Sequence, residues 1–336
     1  MSTIHEVAKR AGVSPTTVSH VINNTRFVSK EVKERVNEAM AELQFQPNAL
    51  ARSLRRGKTH TLGLILPDSA NPFFAEIGHG IEATAFNLDY SVILCNTEGN
   101  VDKERLYLNV LSNKRVDGII LVSVGEQEDL LRLLQTYRRP LVLVDRILPD
   151  VQTDAVFCDN LQGGYIATRH IINLGHRRIG VVAGPYYLTP SSHRVTGYLK
   201  ALAEAGIPTD ESLIVRGDFQ SGSGWKAALE LFNIPDPPTA IFACNDMMAI
   251  GVLRAAAETG KKVPDDLAVV GFDDITLAAY TVPSLTSVAQ PKSKMSELAV
   301  QLLIQRIELK EDEELPLRNE VLCPSLVVRG SCGGCA

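Results

Sequence analysis

The sequence predicts an α/β protein, with a small all-α head followed by two Rossmann-like lobes built on parallel sheets. Three observations carry this. From Thr61 onward, short unbroken apolar runs alternate with helical periodicities, the pattern of strands buried on both faces by crossover helices. The 336-residue chain exceeds one typical domain, and its strand–helix repeats are too many for one such sheet. Finally, the charge is split. Up to Lys58 there are ten Lys/Arg against five Asp/Glu, and the remainder carries 24 against 34. A basic head on an acidic body is the distribution expected when only the head touches phosphates.

The head reads as three helices. Ile4, Val7, Ala8 and Ala11 fall at i, i+3, i+4, i+7, one face of a short helix. Thr3 is its N-cap, with Glu6 completing a capping box, and Gly12 ends it. Ser14 caps a second helix with Pro15 at its first position, running to about Asn23 with Val18, Val21 and Ile22 inward. A third runs from after Ser29 to about Leu43, with Val32, Val36, Ala39, Met40 and Leu43 on one face. Two short helices joined by a Gly-containing turn, with a third beside them, describe a helix-turn-helix. The outward face of the second helix carries Thr16, Thr17 and His20, polar side chains of a size to reach base edges in a major groove. The stretch from Gln46 to Gly57 is a helix too short to be stable alone, with Leu50 and Leu54 on one side and three arginines. Such a segment suggests folding on DNA and wedging an apolar side chain into a minor-groove step.

The body follows in order. Strands are expected at 62–66, 92–95, 118–122, 141–144, 179–183, 240–243 and 267–271. Helices are expected at 72–88, 102–114, around Leu130, and at 161–174, 194–205, 224–231 and 247–259. Ligands in such sheets bind beyond the carboxyl ends of the strands. There the sequence places Asp68, Asn71, Phe73, Phe74, Asp145, Arg146, Arg194, Asp218, Phe219, Asn245, Asp246, Asp273, Asp274 and Gln290. Carboxylates accept hydrogen bonds, Arg donates a fork of them, amides do both, and the Phe rings offer flat apolar faces. That chemistry suits a small ring with a polar rim, such as a sugar.

The run Ile4-His5-Glu6-Val7-Ala8-Lys9-Arg10-Ala11-Gly12-Val13-Ser14, then Thr17-Val18-Ser19-His20-Val21-Ile22-Asn23, resembles the head of the LacI/GalR family of transcription regulators. Ala49-Leu50-Ala51-Arg52-Ser53-Leu54 resembles that family's hinge helix. Asn71-Pro72-Phe73-Phe74, Val144-Asp145-Arg146, Asn245-Asp246, Gly271-Phe272-Asp273 and Ala289-Gln290 resemble its sensor core, closest in pattern to ribose operon repressors. The resemblance spans Ser2 to Arg329 and implies lobes of the periplasmic-binding-protein type I fold. It implies a helix-turn-helix domain over 1–46, a hinge helix and linker over 47–60 and a ligand-sensing domain over 61–330. Within the last, one lobe takes about 61–160 and 291–322 and the other about 161–290 and 323–330, leaving 331–336 as a flexible tail. It also implies DNA contacts by Thr16, Thr17, His20, Asn23, Arg26, Ala51, Leu54 and Arg55. Ligand contacts fall to Asn71, Phe73, Phe74, Asp145, Arg146, Arg194, Phe219, Asn245, Asp273 and Gln290.

The function this implies is a homodimeric repressor reading a pseudo-palindromic operator, with ribose or a related pentose as inducer. The alternatives are a purine or other corepressor, or control by a protein coregulator. An enzyme is not expected: there is no G-x-G-x-x-G after the first strand, no Walker A and no G-x-S-x-G elbow. No cofactor or metal site is expected either. Of the six cysteines, Cys95, Cys158, Cys244 and Cys323 lie in apolar runs and read as buried hydrophobes; Cys332 and Cys335 fall in the tail. No apolar run approaches a membrane span and Met1–Glu6 does not begin a signal peptide, so the expected location is cytoplasmic.

Overall fold

The computed structural model describes residues 2–23, 26–45, 58–122, 128–148, 150–310 and 313–334. It divides into two compact units, residues 1–60 and 61–336.

The first unit holds α1 (Ile4–Ala11), α2 (Pro15–Asn23) and α3 (Lys30–Glu42). The capping box forms as the sequence predicts. The Thr3 hydroxyl accepts from the Glu6 N–H at 3.3 Å, and the Glu6 carboxylate accepts from the Thr3 N–H at 2.7 Å. Those bonds hold the Glu6 carboxyl below its ordinary range. Ser14 caps α2 by accepting from the Thr17 N–H at 3.1 Å. Ser29 makes no side-chain cap bond to α3. Val7, Val18 and Val36 are fully buried at the junction of the three helices, with Ala8, Ala11 and Ala39 filling the narrower gaps. The hinge residues Ala51, Leu54 and Arg55 lie outside the described residues.

In the second unit one sheet runs in the order β11-β5-β4-β3-β1-β2, from β1 (Thr61–Leu66), β2 (Ser91–Asn96), β3 (Gly118–Leu121), β4 (Leu141–Val144), β5 (Asp154–Cys158) and β11 (Asn319–Leu322). All its pairings are parallel. Its helices are α4 (Pro72–Asn87), α5 (Val101–Asn113), α6 (Glu128–Thr136) and α11 (Lys292–Glu308). The other sheet runs β12-β10-β9-β8-β6-β7, from β6 (Ile179–Ala183), β7 (Ile214–Arg216), β8 (Ala240–Ala243), β9 (Ala268–Asp273), β10 (Thr286–Ala289) and β12 (Ser325–Val327). Its helices are α7 (Asn160–Asn173), α8 (Thr189–Glu204), α9 (Ser221–Phe232) and α10 (Asp246–Glu258). Central strands such as β3, β4 and β8 are buried throughout, as strands covered on both faces must be.

Several details depart from expectation. β12 pairs antiparallel with β10, so the second sheet is mixed at its edge. α8 begins at Thr189, not at Arg194, because Pro190 occupies its first turn, where a missing N–H costs nothing. Ser331 and Cys332 are buried instead of forming a tail. The Ser331 hydroxyl donates to the Val269 carbonyl at 2.6 Å and accepts from the Thr286 N–H at 2.8 Å, pinning the chain to β9 and β10. Cys95, Cys158 and Cys244 are buried as expected, but Cys323 is exposed, in the short connection between β11 and β12 where the chain leaves one sheet for the other. No helix among the described residues is long and apolar enough to cross a membrane.

Candidate ligand cleft and nucleic-acid interface

The chain passes between the two sheets after β5, after β10 and after β11, so the two sheets face a shared cleft with their carboxyl ends. A cavity of about 360 Å³ opens there. Nine of the ten expected ligand residues line it: Asn71, Phe73, Phe74, Asp145, Arg146, Arg194, Phe219, Asn245 and Asp273.

Each is placed by local structure. Asn71 caps α4 by accepting from the Phe73 N–H at 3.0 Å, which leaves its NH2 group for the cavity. Phe73 and Phe74 follow, packed edge to face with centroids 5.1 Å apart. Phe219 is held at φ 69, and its ring lies where a Cβ at Gly184 would stand, 2.2 Å from the ring's Cζ, so a side chain at 184 would displace the ring. Asn245 spends both ends of its amide on the protein. Its oxygen accepts from the Met248 N–H at 2.9 Å, and its NH2 donates to the Phe219 carbonyl at 3.0 Å. It shapes the wall more than it reads a ligand.

The charged centre is desolvated: Arg146, Arg194 and Asp273 are 3%, 4% and 4% exposed. Arg194 donates to Asn160 Oδ1 at 2.8 Å and to the Cys244 carbonyl, approaches Asp273 Oδ1 at 3.6 Å, and lies 3.7 Å over the Phe272 ring. Burial pushes the Asp273 carboxyl up to about 6, with Arg194 offsetting part of the effect. Burial also raises Asp145, against the pull of Arg194 and Arg146, and one of its carboxylate oxygens has no hydrogen-bond partner.

Gln290 does not line the cavity. It is buried behind Asp273 and donates to its Oδ1 at 2.9 Å, so it orients the carboxylate instead of meeting a ligand. Residues the sequence reading missed also line the cleft, among them Glu98, Tyr187, Leu188, Pro190 and Gln220. They follow β2, β6 and β7, and the strand-end rule would have found them. Starting α8 at Arg194 hid the β6–α8 loop that carries Tyr187 and Leu188 and the first turn of α8 that carries Pro190.

In the head, Thr16 and Arg26 are exposed, while Thr17, His20 and Asn23 are half-buried on α2. The Thr17 hydroxyl lies 2.9 Å from that of Ser14, and the Asn23 NH2 donates to the Ser19 carbonyl at 2.8 Å. Phe27, beside Arg26, is 96% exposed.

A family profile for bacterial regulatory proteins of the lacI family matches residues 3–48, and one for a periplasmic binding protein-like domain matches residues 168–332. The HTH-type transcriptional repressor PurR of Photobacterium profundum is 42% identical over 98% of both chains. Among solved structures, the lac repressor dimer bound to operator and the anti-inducer ONPF superposes with a TM-score of 0.87 at 28% identity, covering 98% of each chain. A LacI family regulator from Enterococcus faecium with bound ribose gives 0.72 at 31% identity, covering 81% of this chain and 98% of that one.

Proposed function

This chain belongs to the lacI family of bacterial regulatory proteins and is a DNA-binding transcriptional repressor, not an enzyme, and from that premise we propose that an unphosphorylated purine base in the cleft is its corepressor. The observation that carries the ligand class is the cavity lining. Asp68, Glu98, Asp145, Asp218 and Asp273 stand against Arg146 and Arg194, with Phe73, Phe74 and Phe219 as flat faces. So acidic a wall repels a phosphate. A planar base offers N–H groups to the aspartates and ring acceptors to the arginines, and its faces stack on phenylalanine. The repressor PurR, 42% identical over nearly the whole chain, favours this over the expected ribose inducer. Ribose is the second reading, supported by the ribose-bound relative.

On DNA, we assign α2 to the major groove, with Thr16 and His20 toward base edges and Arg26 beside them. The Thr17 hydroxyl already faces Ser14, so its methyl is the group left for a thymine. Two subunits reading a pseudo-palindrome, with Ala51, Leu54 and Arg55 at the central minor groove, complete the reading.

Calorimetry of the full chain against guanine, hypoxanthine and ribose tests this, paired with gel shifts on an operator selected from random sequence. Micromolar purine binding that is lost in Arg194→Ala and tightens operator binding is expected. Ribose binding without purine binding would replace the corepressor with the second reading.

A further inference from the structure

Two consecutive non-glycine residues at the end of β9, Asp273 and Asp274, adopt φ of 105 and 49. Such backbone is disfavoured for residues other than glycine and persists only where neighbours hold it. Gln290 holds the Asp273 side chain, the Ser287 hydroxyl accepts from the Asp274 N–H at 3.0 Å and Arg329 lies 2.7 Å from Asp274 Oδ1, while one ammonium group grips both carbonyls of the turn. Lys292, the first residue of α11, donates from Nζ to the Asp273 carbonyl at 2.7 Å and to the Asp274 carbonyl. Its remaining contact is with Glu76, at 3.0 Å from Oε2. The other oxygen of Glu76 accepts from the Thr276 N–H at 2.8 Å, two residues beyond the strained turn.

Glu76 belongs to α4, whose start supplies Asn71, Phe73 and Phe74 to the cavity, and α4 packs on the first sheet. Asp273, Asp274 and Thr276 belong to the other lobe. α4 and α11 pack against each other, and Ser296 of α11 donates to the Ile77 carbonyl at 3.0 Å, directly after Glu76. The pair is poorly solvated, with side chains 15% and 27% exposed for Lys292 and Glu76. Its bonds to Thr276 and Lys292 hold the Glu76 carboxyl below its ordinary range although burial acts the other way. Neither residue lines the cavity.

We propose that Glu76 and Lys292 form the strut that transmits occupancy of the cleft to α4. A ligand seated on Asp273 acts on the turn whose two carbonyls Lys292 grips. Any shift of that turn is delivered through Lys292 and Thr276 to both oxygens of one carboxylate on the opposite lobe. The two residues are therefore positioning residues for the ligand response, without contact to ligand or DNA. Coupling of this kind needs an element that both sites bias, and the turn held by Lys292 is that element. The inference rests on the ligand site proposed above, and its test has one arm that needs no ligand.

The test uses the full chain with Glu76→Gln and Glu76→Ala. In the first arm, operator Kd is measured with and without saturating guanine, with ribose as the alternative probe. The variants should bind the effector within about threefold of the native chain, while the effector-dependent change in operator Kd collapses to within about twofold of unity. A response preserved at native size in both variants overturns the strut. The second arm is amide hydrogen exchange of the ligand-free protein. Glu76→Ala should speed exchange at Thr276 and also across the first turn of α4. Faster exchange confined to Thr276, or unchanged, shows that the link does not reach α4 and overturns the inference. If the native chain answers neither guanine nor ribose, the proposed effector fails, and the exchange arm still decides the strut.

Discussion

Asp273 combines two costs in one residue, a φ of 105 and a carboxyl 4% exposed. Its ionisation is pushed up to about 6 from an ordinary 3.8 by burial, with Arg194 offsetting part of the effect. A raised carboxylate favours the folded state when protonated. Its contribution is therefore full below the unfolded value and is lost as pH rises from about 4 through about 6. The difference corresponds to about 3 kcal/mol forfeited at neutral pH. Asp246, buried and raised by burial and by Asp273, acts in the same direction. Asp273→Asn, which keeps an acceptor for Gln290, should raise the melting temperature of the ligand-free protein by several degrees at pH 7.5. The gain should vanish below about pH 4, and effector binding should be lost. A melting temperature no higher than native at pH 7.5 would show that the carboxylate carries no such cost. Gln290→Leu tests the orienting role in turn. It leaves the cavity lining intact, so effector affinity should fall about tenfold through misplacement of Asp273, as loss of a supporting hydrogen bond to a charged group does. Titration calorimetry reads this directly, and native affinity would show that Asp273 is held adequately by Arg194 alone.

At the scale of elements, legibility mostly followed the strength of the local signal, although α11, 17 residues long, and the buried strand β5 were not expected. α1, with cap, capping box and terminal glycine all in eight residues of periodic sequence, could be drawn before any coordinates. So could β6 and β8, unbroken apolar runs between polar turns. β7 and β12, three residues each at sheet edges with no fully buried position, carry no signal distinguishable from a loop. The cavity residues were legible because the strand-end rule depends on topology, not on packing detail. The placement of Gln290 behind Asp273 was not, since both positions satisfy the same rule. Helix contacts were equally invisible. α7 meets α8 so closely that a Cβ on Gly164 would lie 2.0 Å from the Arg194 carbonyl oxygen, and one on Gly197 2.1 Å from that of Leu161. Both obstacles are backbone and cannot yield as a side chain would. Gly164→Ala is therefore expected to cost about 3 kcal/mol or more in urea unfolding, at the upper end of overpacking effects. Because the same contact seats Arg194, effector affinity should fall with it. A variant as stable as the native chain would mean that the two helices separate freely.

For the whole molecule, the division of charge separates the two binding events physically. Up to Lys58 the chain is net basic, and the body is net acidic. Operator binding releases counterions from the phosphates, so its constant should fall steeply with salt, by about 10³–10⁵ between 50 and 200 mM for 6–10 phosphate contacts. The cleft has the opposite character. Its arginines and Asp273 are almost wholly buried, where screening by mobile ions is weak. A neutral effector brings no charge to screen. Effector affinity of the full chain should therefore change by less than about twofold over the same salt range in which operator affinity collapses. Gel shift and calorimetry on one preparation measure both slopes. Parallel slopes would mean that the effector carries charge into the cleft, and would overturn the unphosphorylated ligand class while leaving the DNA-binding assignment intact. A flat operator slope would instead count against the basic head as the DNA-contacting surface.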